Sequence, residues 1–228
     1  MPESIAVIAA HPDDEVLGCG GTLARFAEEG FDVHILLLAD GVSSRVKGKE
    51  SGEGEAKRQR ELAAIEACRV LGASSVKLMD LEDNRLDGLD LLDIVKPVED
   101  FLKEYKPAKV FTHHAGDVNI DHTIVHRAIQ AACRPLPKSS VRELLFFEVP
   151  SSTEWMTPGS GVPFVPNYFV DISETLERKL QALKVYEEEL RGFPHPRSIE
   201  GVKALARWRG ASVGVEASEA FILGRKIT

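Results

Sequence analysis

Disulfide pairs, membrane-spanning runs and an excess of positive charge are all missing from this 228-residue sequence. Its three cysteines, Cys19, Cys68 and Cys133, are odd in number and far apart. None belongs to a C-x-x-C pair of the kind that marks a zinc knuckle or redox couple, so reduced thiols in a cytoplasmic setting are expected. No apolar run approaches the roughly 20 residues that cross a bilayer, so no membrane partner is expected. The opening Met1-Pro2-Glu3-Ser4-Ile5 lacks the basic segment that starts a secretory signal. With 28 Lys and Arg against 36 Asp and Glu, the net charge is −8, which disfavours nucleic acid as a partner. What remains, 43% hydrophobic and 28% charged residues, is ordinary globular composition. No repeat or linker divides the chain, so residues 1–228 read as a single domain.

The pattern along the chain alternates strand and helix. Residues 4–10 are a continuous apolar run, as suits a strand buried on both faces of a parallel sheet. Thr22 is placed to cap a helix over residues 22–29 that Gly30 ends. A strand over 32–39 follows. Further helices are expected over 55–71, 91–105 (with Pro97 near a break) and 122–133, and strands over 75–79 and 109–113. Such alternation predicts an α/β fold: a three-layer, Rossmann-like, doubly wound and mostly parallel sheet with helices on both faces. After about residue 135 the pattern loosens into loops, a strand over 141–149, a last short strand over 168–172 and an amphipathic helix over 175–190 with Leu176, Leu180, Leu183 and Tyr186 on one face. The polar segments 41–55 and 151–161 read as mobile rims or lids of a site.

The chemistry is concentrated where the first strand ends, in Ala10-His11-Pro12-Asp13-Asp14-Glu15. The carboxyl edge of an open α/β sheet is where ligands bind. Carboxylates there would repel a phosphate and suit a cation; His11 and Asp14 offer the nitrogen and oxygen donors that zinc accepts. A catalytic zinc needs a third protein ligand and an open position. The best source is Asp117-Val118-Asn119-Ile120-Asp121-His122 after the fourth strand, with His122 as the third ligand and Asp121 orienting a ligand from behind. Asp13 is placed to take a proton from water. His113 or His114, and the His122/His126 pair, compete as ligands; a turn histidine with helix-capping acids is the plainer alternative.

The run from His11-Pro12-Asp13-Asp14-Glu15 through Gly18-Cys19-Gly20-Gly21-Thr22 resembles the signature of the PIG-L/LmbE-like zinc-dependent N-acetylglucosaminyl deacetylases. The likeness continues through Asp40-Gly41, Arg58-Gln59-Arg60-Glu61-Leu62, Leu71-Gly72, Asp83-Asn84-Arg85-Leu86 and the Asp117 to His122 motif. It implies hydrolysis of an N-acetyl group from an amino sugar or its conjugate by one zinc ion per chain, with iron or manganese as possible replacements. His11, Asp14 and His122 would then hold the metal and Asp13 would be the base. Arg58 and Asn84 would contact the small N-acetylated substrate. Many members carry a histidine where this chain has Asn119; an amide can steady an oxyanion but cannot shuttle a proton. That leaves Asp13, His114 or His195 to protonate the leaving amine. The resemblance also admits an amidase acting on a thiol-sugar conjugate and a possible homo-oligomer. The sheet architecture and the Gly18 to Gly21 glycines leave a nucleotide-sugar binding or glycosyl-transfer module as the reading from another class.

Overall fold

A computed structural model describes residues 3–44 and 53–228. In chain order the elements are β1 (Ser4–Ala9), α1 (Asp14–Glu28), β2 (Asp32–Ala39), α2 (Glu53–Leu71), β3 (Ser75–Leu81), α3 (Leu91–Tyr105), β4 (Lys109–His113), α4 (Ile120–Ala132), β5 (Glu143–Phe147), β6 (Tyr168–Asp171), α5 (Leu176–Val185), α6 (Ile199–Ala211) and β7 (Ser218–Lys226). Among the described residues the strands form one seven-stranded sheet in the order β3-β2-β1-β4-β5-β7-β6. The first five run parallel, and β7 pairs antiparallel with both β5 and β6. The α/β, mostly parallel architecture expected from the alternation is therefore present.

β1 explains why the fold is legible at its centre. It is hydrogen-bonded on both edges, with Ile5 opposite Val33 of β2 and Lys109 of β4. Successive side chains of a strand point to opposite faces. Ile5, Val7 and Ala9 enter a core with Leu23 of α1, Leu71 of α2, Leu183 of α5 and Ala206 of α6. Ala6, Ile8 and Ala10 enter a second core with Val98 and Phe101 of α3 and Val125 and Ile129 of α4. Burying each large aliphatic side chain contributes about 1.5–3 kcal/mol, so neither face of β1 tolerates a polar residue. Between β1 and β4 the strand order reverses direction, and the crevice at their carboxyl ends is the usual ligand position in such sheets.

Several boundaries differ from the sequence expectation. The first helix starts at Asp14 rather than Thr22, and takes in Gly18, Gly20 and Gly21. These glycines lie inside a helix because its backbone presses on neighbours: a Cβ on Gly18 would lie 2.3 Å from Phe147, and one on Gly21 2.7 Å from Ile172. At Cys19 the backbone leaves helical geometry. The freed N–H groups of Gly21 and Thr22 donate to the Glu219 carboxylate at 3.0 and 2.7 Å, so a second helical segment does begin there, capped from β7 rather than locally.

On α2 the buried residues are Arg60, Ala64, Ala67, Cys68 and Leu71, whereas Leu62 and Ile65 are half exposed. α3 runs through Pro97 unbroken, and α5 stops at Val185, with a single 3-10 turn over residues 187–189. The strand over 168–172 is not the last, because α6 and β7 follow it. Residues 45–52 of the segment expected to form one rim lie outside the described residues. In the other rim, Ser152 and Thr153 are buried.

Candidate active site

The two motif-bearing turns meet at the crevice. The N–H of Ala10, at the end of β1, donates to Nε2 of His113 from β4 at 2.8 Å, which locks the two strand ends together. Asp13 then precedes α1 and accepts at its carbonyl from the N–H groups of Val16 and Leu17. From the other side, Asn119 caps α4 by accepting from the N–H of Asp121 at 2.9 Å, and the helix presents His122 to the same point. His11 is 8% exposed, and Asp14 and His122 are fully buried.

His11, Asp14 and His122 offer ligand atoms that all lie within 4.8 Å of one another. His11 Nδ1 is 3.1 Å and His122 Nε2 3.2 Å from Asp14 Oδ2. Each imidazole is held from behind by a carboxylate. Asp121 lies 3.0 Å from His11 Nε2 and is itself fixed by the N–H groups of Asn84 and Leu86. Asp117 lies 3.2 Å from His122 Nδ1 and accepts from the Ser152 and Thr153 hydroxyls. Carboxylate backing of this kind fixes the tautomer of a metal-binding histidine, leaving His11 Nδ1 and His122 Nε2 facing Asp14. Among the described residues Asp14 Oδ1 has no hydrogen-bond partner, and His122 Nε2 has none besides its ion-pair contact with Asp14 Oδ2. Buried polar atoms are nearly always satisfied, so these atoms fit a cation between them. A second grouping, His11 with Asp83 and Asp121, is less suited, because both Asp121 oxygens already accept backbone N–H groups.

Electrostatics agree with the geometry. Burial alone would raise Asp14, but His122, His113 and the His11 hydrogen bond outweigh it and hold its carboxyl well below the usual range. Burial opposes charge on His122 too, yet Asp14 and Asp117 push it up to about 9. The carboxylates therefore favour positive charge at this point, whether a proton or a metal. Burial raises Asp13 to about 6 despite the opposing Arg197 guanidinium, near the value that suits a base at neutral pH. Burial and the neighbouring His122 keep His113 neutral, as its acceptance from Ala10 requires.

A pocket of about 40 Å³ opens beside this cluster, lined by His11, Asp13, Arg60, Asp83, Asn84, Asn119, Glu189 and Arg197 among others. That volume is enough for a water molecule beside the cluster. Asn84 and Asn119 thus stand where the motifs place them. Asn119 spends its side-chain oxygen on the α4 cap, so its NH₂ is the end left to donate. Arg58 is not there: its side chain is 60% exposed and pairs with Glu55. Positions two apart on a helix differ by about 200°, and the arginine facing inward is Arg60, which ion-pairs with Glu189.

His114 bonds the Val162 carbonyl, His126 bonds the His113 carbonyl and Gln130, and His195 accepts from the Arg197 N–H and meets Trp155 edge-on. None of the three lines the pocket. Sequence reasoning misses Arg197, which lies 3.0 Å from the Asp13 carboxylate and 2.7 Å from Ser151 Oγ, only two positions from His195. It also misses Arg60, Glu189 and the backing role of Asp117; only the inward face of α2 could have signalled Arg60.

Comparison with known proteins follows the same lines. The family model described as GlcNAc-PI de-N-acetylase, PIG-L, matches residues 6–133. An Escherichia coli (strain K12) protein called uncharacterized deacetylase YaiS is 31% identical over 191 residues, covering 81% of this chain and 91% of that one. Diacetylchitobiose deacetylase of Thermococcus kodakarensis is 28% identical, covering 82% and 70%. The 4-oxalmesaconate hydratase of Pseudomonas putida is 27% identical, covering 80% and 72%. Among solved structures, the conserved protein TT1542 from Thermus thermophilus superposes with a TM-score of 0.78 at 30% identity, covering 100% of this chain and 97% of that one.

Proposed function

The chain belongs to the PIG-L family, and from that premise we propose that it is a metal-dependent hydrolase that removes the acetyl group from an N-acetylated amino sugar or its conjugate. The observation that carries this is the buried His11, Asp14 and His122 cluster with two unsatisfied ligand atoms and the Asp13 carboxylate beside it in the pocket. His11 Nδ1, Asp14 and His122 Nε2 would hold one divalent cation. Two imidazoles and one carboxylate suit zinc and leave room for the open position of a catalytic site. A cation there supplies polarisation of the acyl carbonyl and acidification of water.

The chain's own residues do the rest. Asp13 accepts the proton of the attacking water and returns it to the departing amine, since among the described residues His11, which the cation would occupy, is the one histidine lining the pocket. The Asn119 NH₂ donates to the oxyanion of the tetrahedral intermediate. Asn84 and Arg60, both lining the pocket, offer polar contacts for sugar hydroxyls. The test is acetate release from a panel of N-acetylated sugars, with elemental analysis of the purified protein. The hydratase relative favours one second reading, addition of water to an unsaturated tricarboxylate. Stoichiometric metal with acetate release and no loss of enoate absorbance supports deacetylation; the converse pattern replaces it with hydration.

A further inference from the structure

Asp13 has φ 116°, in the half of backbone space that an L side chain rarely adopts. A residue in such a conformation persists only where its surroundings over-determine it. Its carbonyl is held by the first turn of α1. Its N–H is held differently: it donates to Glu15 Oε2 at 3.0 Å. The other Glu15 oxygen accepts from the Tyr186 hydroxyl at 2.6 Å. Glu15 is fully buried and Tyr186 is 2% exposed, and neither lines the pocket. Tyr186 comes from the end of α5, 171 positions further along the chain.

We propose that Glu15 and Tyr186 are a positioning pair for Asp13: a hydroxyl, a carboxyl and a backbone amide in series that tie the main chain of the base to α5 and so set the direction of its carboxylate. This rests on Asp13 being the base. The side chain of Asp13 leaves the backbone at an angle fixed by that unusual φ, and Arg197 meets its carboxylate at 3.0 Å. Glu15 and Tyr186 touch no reacting atom, so their removal acts on turnover through Asp13 and leaves substrate binding and the metal ligands in place.

Tyr186→Phe keeps the ring and its packing and deletes only the hydroxyl. We expect it to lower kcat about 10- to 100-fold, the size of effect that a small misplacement of a reacting group produces, with KM within about twofold and metal content unchanged. Glu15→Gln, which keeps an acceptor for the Asp13 N–H and a polar end for Tyr186, should restore most of the activity lost in Glu15→Ala. In an Asp13→Asn background Tyr186→Phe should cost nothing further, because the group it aims is gone. Wild-type kcat in Tyr186→Phe, or an equal loss in both backgrounds, overturns the pair while the base assignment stands. Full activity in Asp13→Asn alone overturns the base assignment and the pair together.

Discussion

The segments just after β1 and β4 supply the side chains whose donor atoms point at one another, His11, Asp14 and His122, and the carboxylates behind the two imidazoles, whereas the chain from Ser151 onward supplies groups that hold the residues around them. Ser152 and Thr153 bind Asp117, Arg197 binds Asp13, Glu189 pairs with Arg60, and Glu219 caps the kinked α1. The first region is dense in functional residues because several ligands must converge within a few ångströms, and short turns at one sheet edge deliver them together. The second region is sparse, because a supporting hydrogen bond needs only one residue from anywhere in the chain.

The comparison breaks most directly at the ligands. His122→Ala should lose its metal on dialysis and with it all turnover, checked by elemental analysis; retained stoichiometric metal would remove His122 from the ligand set. Next in size is Asn119→Asp, which keeps the oxygen that caps α4 and deletes the NH₂ donor. A fall in kcat of about 10²- to 10³-fold is expected with little change in melting temperature, and equal activity would leave the oxyanion without this donor. The supporting layer should cost less: Asp117→Asn should weaken metal affinity about 10- to 100-fold, read by chelator competition.

The pH profile sharpens the same contrast. A base must be ionised to work, so kcat/KM should fall as pH drops through about 6, where burial places Asp13. A nearby cation would move that limb to lower pH, never higher. The smallest effect belongs to Arg58→Ala, with melting temperature and KM unchanged, as for other exposed positions. A raised KM would restore Arg58 as a substrate contact.

Much of the centre is legible in the sequence. The unbroken apolar run of β1 announces a doubly buried strand, and the density of acid and imidazole after it announces a cation rather than a phosphate. The face of α5 that carries Leu176, Leu180, Leu183 and Tyr186 is buried as its spacing requires. The start of α1 is misplaced because its glycines read as a loop, whereas they answer to Phe147 and Ile172 packed against the helix. Arg58, which the family resemblance offered as a substrate contact, is exposed and paired with Glu55, whereas the buried face of α2 carries Arg60; Leu62 and Ile65, half exposed, hide that face from the sequence pattern.

Local pattern by itself determined the strand and helix alternation and the gathering of acid and imidazole in the turns after β1 and β4, because each depends on neighbours within a few positions. Only the tertiary structure decided which atoms of those residues remain free, which arginine reaches the pocket, and that Tyr186, Arg197 and Glu219 brace the first motif from the far end of the chain. Those outcomes depend on distances across the folded chain, and a single hydrogen bond between remote residues leaves no periodicity in the sequence to read.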